Sequence, residues 1–186
     1  MEINVSLSTT PKYTDHQEEI LWTLLHDKDH VIGPSMRNPD MELLLKKFSS
    51  VPEKALYRGI YRRELDDINA QMASVGYVAL DKYLSFSELR SVADGFARAS
   101  GTNTILEIFL NGSPSKRKAF CYHEHARNLI MAADLQKEFG GDIEDRDHTI
   151  ELLDDEMEWI YRFQFKFKVT RTRTEGRFTI FTIVAV

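Results

Sequence analysis

The stretch "LDDEMEWIYRFQFKFKV", residues 153–169, sets the expectation for the fold. From its fifth residue onward, apolar side chains occupy every second position, which is the period of a strand with one buried face. These side chains are Met157, Trp159, Tyr161, Phe163, Phe165, Phe167 and Val169. The pattern predicts one long strand, and it places Glu156 and Glu158 about 7 Å apart on the opposite face.

The segments around this strand predict an α+β fold. "RFTIFTIVAV", residues 177–186, is apolar enough for a central strand, whereas "DIEDRDHTIELLDD", residues 142–155, predicts an acidic loop. Helices and strands do not alternate as in a doubly wound sheet. Helical patterns dominate the beginning of the chain, so we expect an N-terminal helical lobe over residues 1–52 and a core over residues 53–186, packed as one compact unit.

Composition and charge exclude several classes of protein. The 186 residues carry a formal charge of -5, with a pI near 5.7, so nucleic acid is not the default partner. The single cysteine, Cys121, cannot form an internal disulfide, and no apolar run approaches the roughly 18 residues of a membrane helix. The first residues lack the basic flank and apolar run of a secretory signal. We therefore expect a cytoplasmic protein without a membrane segment.

Two charged features are the first candidates for a functional site. Like charges beside each other on one strand face are mildly destabilising, so Glu156 and Glu158 indicate either a functional pair or a solvated outer face. Arg58 lies in "LYRG", residues 56–59, on a short apolar strand. Its guanidinium needs a counter-charge or a cleft, so it forms a structural salt bridge or binds an anion such as phosphate.

Other motifs allow both functional and structural interpretations. In "YLSFS", residues 83–87, an extended backbone places Ser85 and Ser87 on one face, although Ser87 also suits a helix cap. "CYHEH", residues 121–125, contains two histidines and a cysteine, but no second pair of metal ligands has suitable spacing, so we predict no metal site. Basic residues at 115–118 and along 166–173 keep a nucleic-acid interpretation open.

Taken in order, "LYRG", "YLSFS" and "EME" resemble the R-S-E class of mono-ADP-ribosyltransferases. The resemblance covers about residues 54–186 and implies two packed, mostly antiparallel sheets. In that family the second glutamate of E-x-E is catalytic, and the first contributes to transfer onto arginine. These roles fall on Glu158 and Glu156, and Ser85 is implied to fix the side chain of Glu158.

The same resemblance implies a binding site for NAD. Besides the arginine and S-x-S motifs, the site includes an aromatic residue and an arginine in "SVADGFARASG", residues 91–101. The family places these two residues near the nicotinamide and the phosphates. The residues implied to bind NAD are Arg58, Gly59, Ser85, Ser87, Phe96 and Arg98.

The function implied by the resemblance is NAD-dependent transfer of ADP-ribose to arginine side chains of target proteins, with release of nicotinamide and without a metal. The chain is most similar in size and lobe order to small enzymes of tailed bacteriophages that modify host proteins. Implied partners are host proteins with an exposed arginine, for example in transcription or translation, and RNA stays open as an acceptor or ligand. The alternative is a non-catalytic module on the same scaffold that binds a host protein or nucleic acid.

Overall fold

A computed structural model describes residues 11–33, 37–110, 118–162 and 164–186. Its helices are α1 (Asp15–His26), α2 (Lys28–Ile32), α3 (Pro39–Phe48), α4 (Arg62–Val75), α5 (Arg90–Ala99), α6 (Tyr122–Ala132), α7 (Leu135–Phe139) and α8 (Ile143–Glu156). Its strands are β1 (Leu56–Gly59), β2 (Val78–Leu80), β3 (Leu84–Ser87), β4 (Thr104–Ile108), β5 (Phe120–Cys121), β6 (Glu158–Tyr161), β7 (Phe165–Glu175) and β8 (Phe178–Ala185). None of the helices in this part of the chain is long and apolar enough to cross a membrane.

The strands pair in the order β2-β7-β8-β4-β1-β3-β6-β5, and only the β4–β8 pair is parallel within the described ranges. The expected α+β class with mostly antiparallel strands is confirmed. The two expected sheets are the two halves of one continuous hydrogen-bonded ladder. Phe165 on β7 contacts Phe86 on β3, with ring centroids 6.2 Å apart, although three strands lie between β7 and β3 in the order. The halves therefore face each other around a shared apolar core.

The N-terminal helices α1, α2 and α3 pack on one end of this sheet. Thr14 caps α1, because its hydroxyl accepts from the backbone N–H of Gln17. Leu21, Leu24 and other apolar side chains of the lobe share one buried cluster with α6, α8 and Ile160 of β6. The lobe is therefore anchored to the strand that begins at Glu158.

The single long strand predicted from residue 157 onward is interrupted. Residues up to Glu156 belong to α8, Met157 has a left-handed backbone with φ 42°, and β6 and β7 are separate strands with different partners. The acidic segment forms a helix because the carboxylate of Asp142 accepts two N–H groups of the first turn, where negative charge is favourable. The predicted position Phe163 lies outside the described residues.

Gly59 allows β1 and α5 to approach each other closely. A Cβ built on Gly59 would overlap the carbonyl oxygen of Ala93 and lie 2.5 Å from the backbone nitrogen of Ala97. Both atoms belong to helix backbone, which cannot yield as a flexible side chain would. The glycine of "LYRG" thus sets the position of α5 against the sheet.

A buried carboxylate, Glu64 on α4, joins β1 to the segment between β2 and β3. It accepts from Arg58 Nη2 at 2.9 Å and from Lys82 Nζ at 2.5 Å. Burial alone would raise the pKa of Glu64, but the charges and hydrogen bonds of Arg58 and Lys82 outweigh it and lower the pKa to about 2. The carboxylate is therefore ionised in the folded protein well below neutral pH.

Gly59→Ala should destabilise the protein by about 1–3 kcal/mol, because the added methyl group forces α5 away from β1. Gly95→Ala, on α5 itself, is the matched control, because an added Cβ there meets no atom within 4 Å. That change should stabilise the helix by about 0.5–1 kcal/mol. Urea unfolding of both variants measures the difference, and equal stabilities would contradict the role of Gly59.

The low pKa of Glu64 predicts a pH-dependent stability. Since the folded pKa is about 2 and the ordinary value is 4.5, the contribution of Glu64 is present above pH 4.5 and is lost as the pH falls toward 2. The loss amounts to about 3 kcal/mol. Urea unfolding at several pH values should show this loss in the unsubstituted protein and in the exposed control Asp66→Asn, whereas Glu64→Gln should lack it. Parallel acid profiles for all three proteins would disprove the assignment.

Candidate active site

A cavity of about 380 Å³ lies between the N-terminal lobe, α5 and the strands β1, β3 and β6. Seven of the predicted site residues line it: Arg58, Gly59, Ser85, Ser87, Phe96, Glu156 and Glu158. The remaining one, Arg98, does not line the cavity. It is exposed, and its Nε donates to the carbonyl oxygen of Asp94 on its own helix.

The left-handed turn at Met157 directs both glutamates to this cavity. The turn is held by two backbone hydrogen bonds, from Met157 N–H to the Leu153 carbonyl and from Glu88 N–H to the Met157 carbonyl. Glu158 begins β6 and its side chain is only 7% exposed, whereas the side chain of Glu156, the last residue of α8, is 51% exposed. The two carboxylates therefore differ in environment, and the expected common strand face is replaced by a helix end and a strand start.

Ser87 supports the turn. It pairs directly with Glu158 across the β3–β6 ladder, and its hydroxyl donates to the carbonyl oxygen of Glu156 at 2.5 Å. The hydroxyl oxygen of Ser87 accepts from the N–H of Leu89, so Ser87 also stabilises the entry to α5 without being its N-cap. The second serine of the motif thus fixes the backbone that carries the glutamates.

Arg58 on β1 and Ser85 on β3 lie on paired strands that line the cavity. The Arg58 guanidinium donates through Nη1 to the Ser85 carbonyl at 3.0 Å and through Nη2 to Glu64. Its buried Nε has no hydrogen-bond partner among the described residues. Arg58 therefore forms the structural salt bridge considered from the sequence and also faces the cavity. No hydrogen bond joins Ser85 to Glu158 in the described ranges, so the structure gives Ser85 no direct hold on that carboxylate.

Lys28, on the short helix α2, is a site residue that the sequence did not indicate. Its ammonium forms an ion pair with Glu158 and lies 3.8 Å from Glu156 Oε2. It also lies over the ring of Tyr122, 5.2 Å from the centroid. Burial, and then the nearby charges of Glu158 and Glu156, raise the pKa of Tyr122, so its hydroxyl stays neutral. A lone lysine in a helical lobe carries no sequence signal for such a contact.

The residues of "CYHEH" do not converge. Cys121 is buried, which raises the pKa of its thiol, and its Sγ lies 3.6 Å from His123 Nδ1. His125 instead contacts the hydroxyl of Tyr13 at 2.7 Å and stacks on Phe120. Within residues 11–33, 37–110, 118–162 and 164–186, no three His, Cys, Asp or Glu side chains form a group that could hold a metal ion.

In the hairpin of β7 and β8, one of the basic residues considered for nucleic-acid binding forms ion pairs within the protein. Arg173 donates to both carboxylate oxygens of Glu107, at 2.6 and 2.8 Å, and to Glu175 at 2.7 Å. The hydrogen bonds from Arg173 outweigh burial and lower the pKa of Glu107. Lys166 and Lys168 are exposed, and residues 115–117 of the other basic run lie outside the described residues. Arg173 is therefore a structural residue of the sheet.

This arrangement suits chemistry that develops positive charge in a confined space. One buried and one half-exposed carboxylate line the same cavity as the arginine Arg58. Fixed carboxylates stabilise a cationic transition state, and a guanidinium suits phosphate.

Solved structures of bacterial ADP-ribosyltransferases share the fold. The Clostridium limosum C3 exoenzyme gives a TM-score of 0.54 at 11% identity, over 94% of this chain and 87% of that one. The Vis enzyme of Vibrio splendidus in complex with agmatine gives 0.53 at 13% identity, over 96% and 78%. C3stau2 of S. aureus with NAD gives 0.52 at 12% identity, over 95% and 89%.

A family model described as the bacteriophage T4 Mod ADP-ribosyltransferase matches residues 6–186. The comparison with curated proteins gave no match. The family match extends over nearly the whole chain, including the N-terminal lobe, and it confirms the resemblance that the motifs indicated. The chain belongs to the T4 Mod family of ADP-ribosyltransferases, transferases that use NAD.

Proposed function

We propose that this enzyme transfers a single ADP-ribose from NAD to arginine side chains of target proteins. The observation that carries the proposal is the pair of glutamates facing one cavity, Glu158 buried and Glu156 half exposed. The division of environments supports a division of roles. A buried carboxylate suits the donor sugar, and a more exposed one suits an acceptor that arrives from solution.

Glu158 serves the donor. Cleavage of the bond between nicotinamide and ribose builds positive charge on the ribose, and a carboxylate fixed nearby stabilises that state, as at glycoside-cleaving sites. His123 supports the position, because its Nδ1 lies 3.2 Å from the Glu158 carbonyl oxygen. Nicotinamide leaves as a neutral molecule, since the bond electrons return to its positively charged ring.

Glu156 serves the acceptor. A guanidinium is protonated at neutral pH and is a poor nucleophile, so a carboxylate must orient it and take its proton as the new bond from nitrogen to ribose forms. The half-exposed side chain of Glu156 is accessible to such a group. The complex of the Vis enzyme with agmatine, itself a guanidinium compound, supports a cationic acceptor in this fold.

The remaining wall residues are proposed to bind NAD. Arg58 offers its guanidinium to a phosphate, and the half-exposed ring of Phe96 offers a face to the nicotinamide. Gly59 and Ser85 line the same wall, and Ser85 is proposed to contact the nucleotide. Ser87 acts through the turn that carries Glu156. Arg98 is left with a phosphate role only if its side chain turns toward the cavity.

The proposed acceptors are host proteins, such as components of transcription or translation, modified in the cytoplasm of the host. The family model named after a bacteriophage enzyme supports this setting. The alternative of a non-catalytic binding module is disfavoured because Arg58, Ser85, Glu156 and Glu158 are all retained. A protein that had lost catalysis would be expected to have lost at least one of these four residues.

Incubation with labelled NAD and a cell lysate should label target proteins on arginine, identified by mass spectrometry of the modified peptides. Glu158→Gln should reduce both labelling and nicotinamide release by at least about 10²-fold, because the charge that stabilises the ribose cation is removed. Glu151→Gln, an exposed change on α8, is the matched control and should retain activity. Full activity of Glu158→Gln would remove this residue from the mechanism, and absence of labelling by the unsubstituted enzyme would refute the function.

Glu156→Gln should separate the two half-reactions. Transfer to agmatine should fall about 10²–10⁴-fold, because no carboxylate orients the guanidinium or takes its proton. Hydrolysis of NAD by water should persist, because it requires only Glu158. Nicotinamide release and ADP-ribosylated agmatine are measured on the same preparation, and a parallel loss of both activities would contradict the division of roles.

A further inference from the structure

The ammonium of Lys28 lies where the two glutamates converge. It contacts Glu158 directly and lies 3.8 Å from Glu156, above the ring of Tyr122. In the part of the chain that the structure describes, the Glu158 carboxylate has no other hydrogen-bond or ion-pair partner. The ammonium of Lys28, a residue of the N-terminal lobe, therefore occupies the space beside the two carboxylates where a cationic ligand would bind.

This space must be vacated for the reaction. Under the proposed function, Glu158 faces a ribose that becomes positive, and Glu156 faces the guanidinium of the acceptor. Like charges within a few ångströms repel each other, and the repulsion is stronger beside a buried group than in bulk water. The Lys28 ammonium therefore has to leave the glutamates before donor and acceptor can both be in place.

The side chain of Lys28 is suited to leaving. It is the first residue of α2, and its side chain is 33% exposed, so an aqueous path is open to the ammonium. Four flexible methylene groups carry the charge, so it can move without a change of the backbone. The contact with Glu158 is thus an exchangeable ion pair at the cavity wall.

We propose that Lys28 competes with the acceptor for the two glutamates and holds the site in a restrained state until a guanidinium displaces it. The inference rests on the proposed function and adds a barrier that an acceptor must overcome. A planar guanidinium can form paired hydrogen bonds with carboxylates and displaces the ammonium. The amine of a target lysine has the same charge and hydrogen-bonding capacity as Lys28 and gains nothing by replacing it. Lys28 therefore lowers the affinity of every competing cation by the same factor. A guanidinium still binds because its own contacts are stronger, and NAD hydrolysis is restrained when no acceptor is present.

Binding of small cations in the absence of NAD tests the competition directly. Lys28→Met should bind agmatine about tenfold more tightly, if the ammonium occupies the site about nine-tenths of the time. Cadaverine, an alkyl diamine, should gain by about the same factor, because a side chain that occupies the site lowers the affinity of every competing cation equally. Lys28→Arg keeps a cation and should not gain affinity, and Lys46→Met, an exposed change in the same lobe, is the matched control. Titration calorimetry supplies the affinities.

Enzyme assays provide the second readout. Hydrolysis of NAD without acceptor should rise in Lys28→Met by a similar factor. Unchanged or weaker agmatine binding by Lys28→Met would overturn the proposal, and an increased KM for NAD alone would make Lys28 a nucleotide-binding residue instead. Urea unfolding checks that each variant is folded, and Lys28→Gln offers a second neutral side chain. If the unsubstituted enzyme forms no ADP-ribosylated agmatine, the proposed function fails, whereas the agmatine affinities still decide the role of Lys28.

Discussion

The ion pair between Lys28 and Glu158 joins the helical lobe to the sheet at the point where the chemistry is proposed to occur. A carboxylate as buried as that of Glu158 loses most of its hydration, and an uncompensated charge in such a place costs several kcal/mol. Compensation comes from another part of the chain, because Lys28 belongs to the N-terminal lobe and Glu158 to β6. The apolar cluster shared by the lobe and β6 keeps the two partners together. The lobe thus contributes to the electrostatics of the cavity as well as covering it.

The backbone conformation of Met157 places Glu156 and Glu158, which are close in sequence, in two different environments. A left-handed conformation at a residue with a side chain costs roughly 1–2 kcal/mol, so it persists only where surrounding contacts require it. Here hydrogen bonds from both sides of the turn, together with the Ser87 hydroxyl, hold it. In a regular strand the two glutamates would have similar exposure. The turn instead buries one carboxylate in the cavity wall and leaves the other at its mouth.

Around Arg58 the signs are reversed, because two positive side chains share one carboxylate. Glu64 pairs with both Arg58 and Lys82, so one negative charge serves two positive ones. The surplus positive charge lies beside the cavity, where a diphosphate would be attracted. Structural ion pairing and ligand binding are therefore compatible at Arg58, because its guanidinium has several donors and the carboxylate uses only one of them.

The sequence by itself determined the motif residues and the fold class. Apolar periodicity is a local property, so β1, β8 and the α+β character could be predicted, and the motif order identified the wall residues except Arg98. It did not reveal the break at Met157, because β6 and β7 bury residues against different partners while the alternation between them continues. Helix α8 was missed because its apolar pattern is weak and its start depends on capping by Asp142. Only the tertiary structure brought Lys28 to Glu158, 130 residues away, since an ion pair between distant segments depends on how the lobe packs and leaves no periodic trace in the chain.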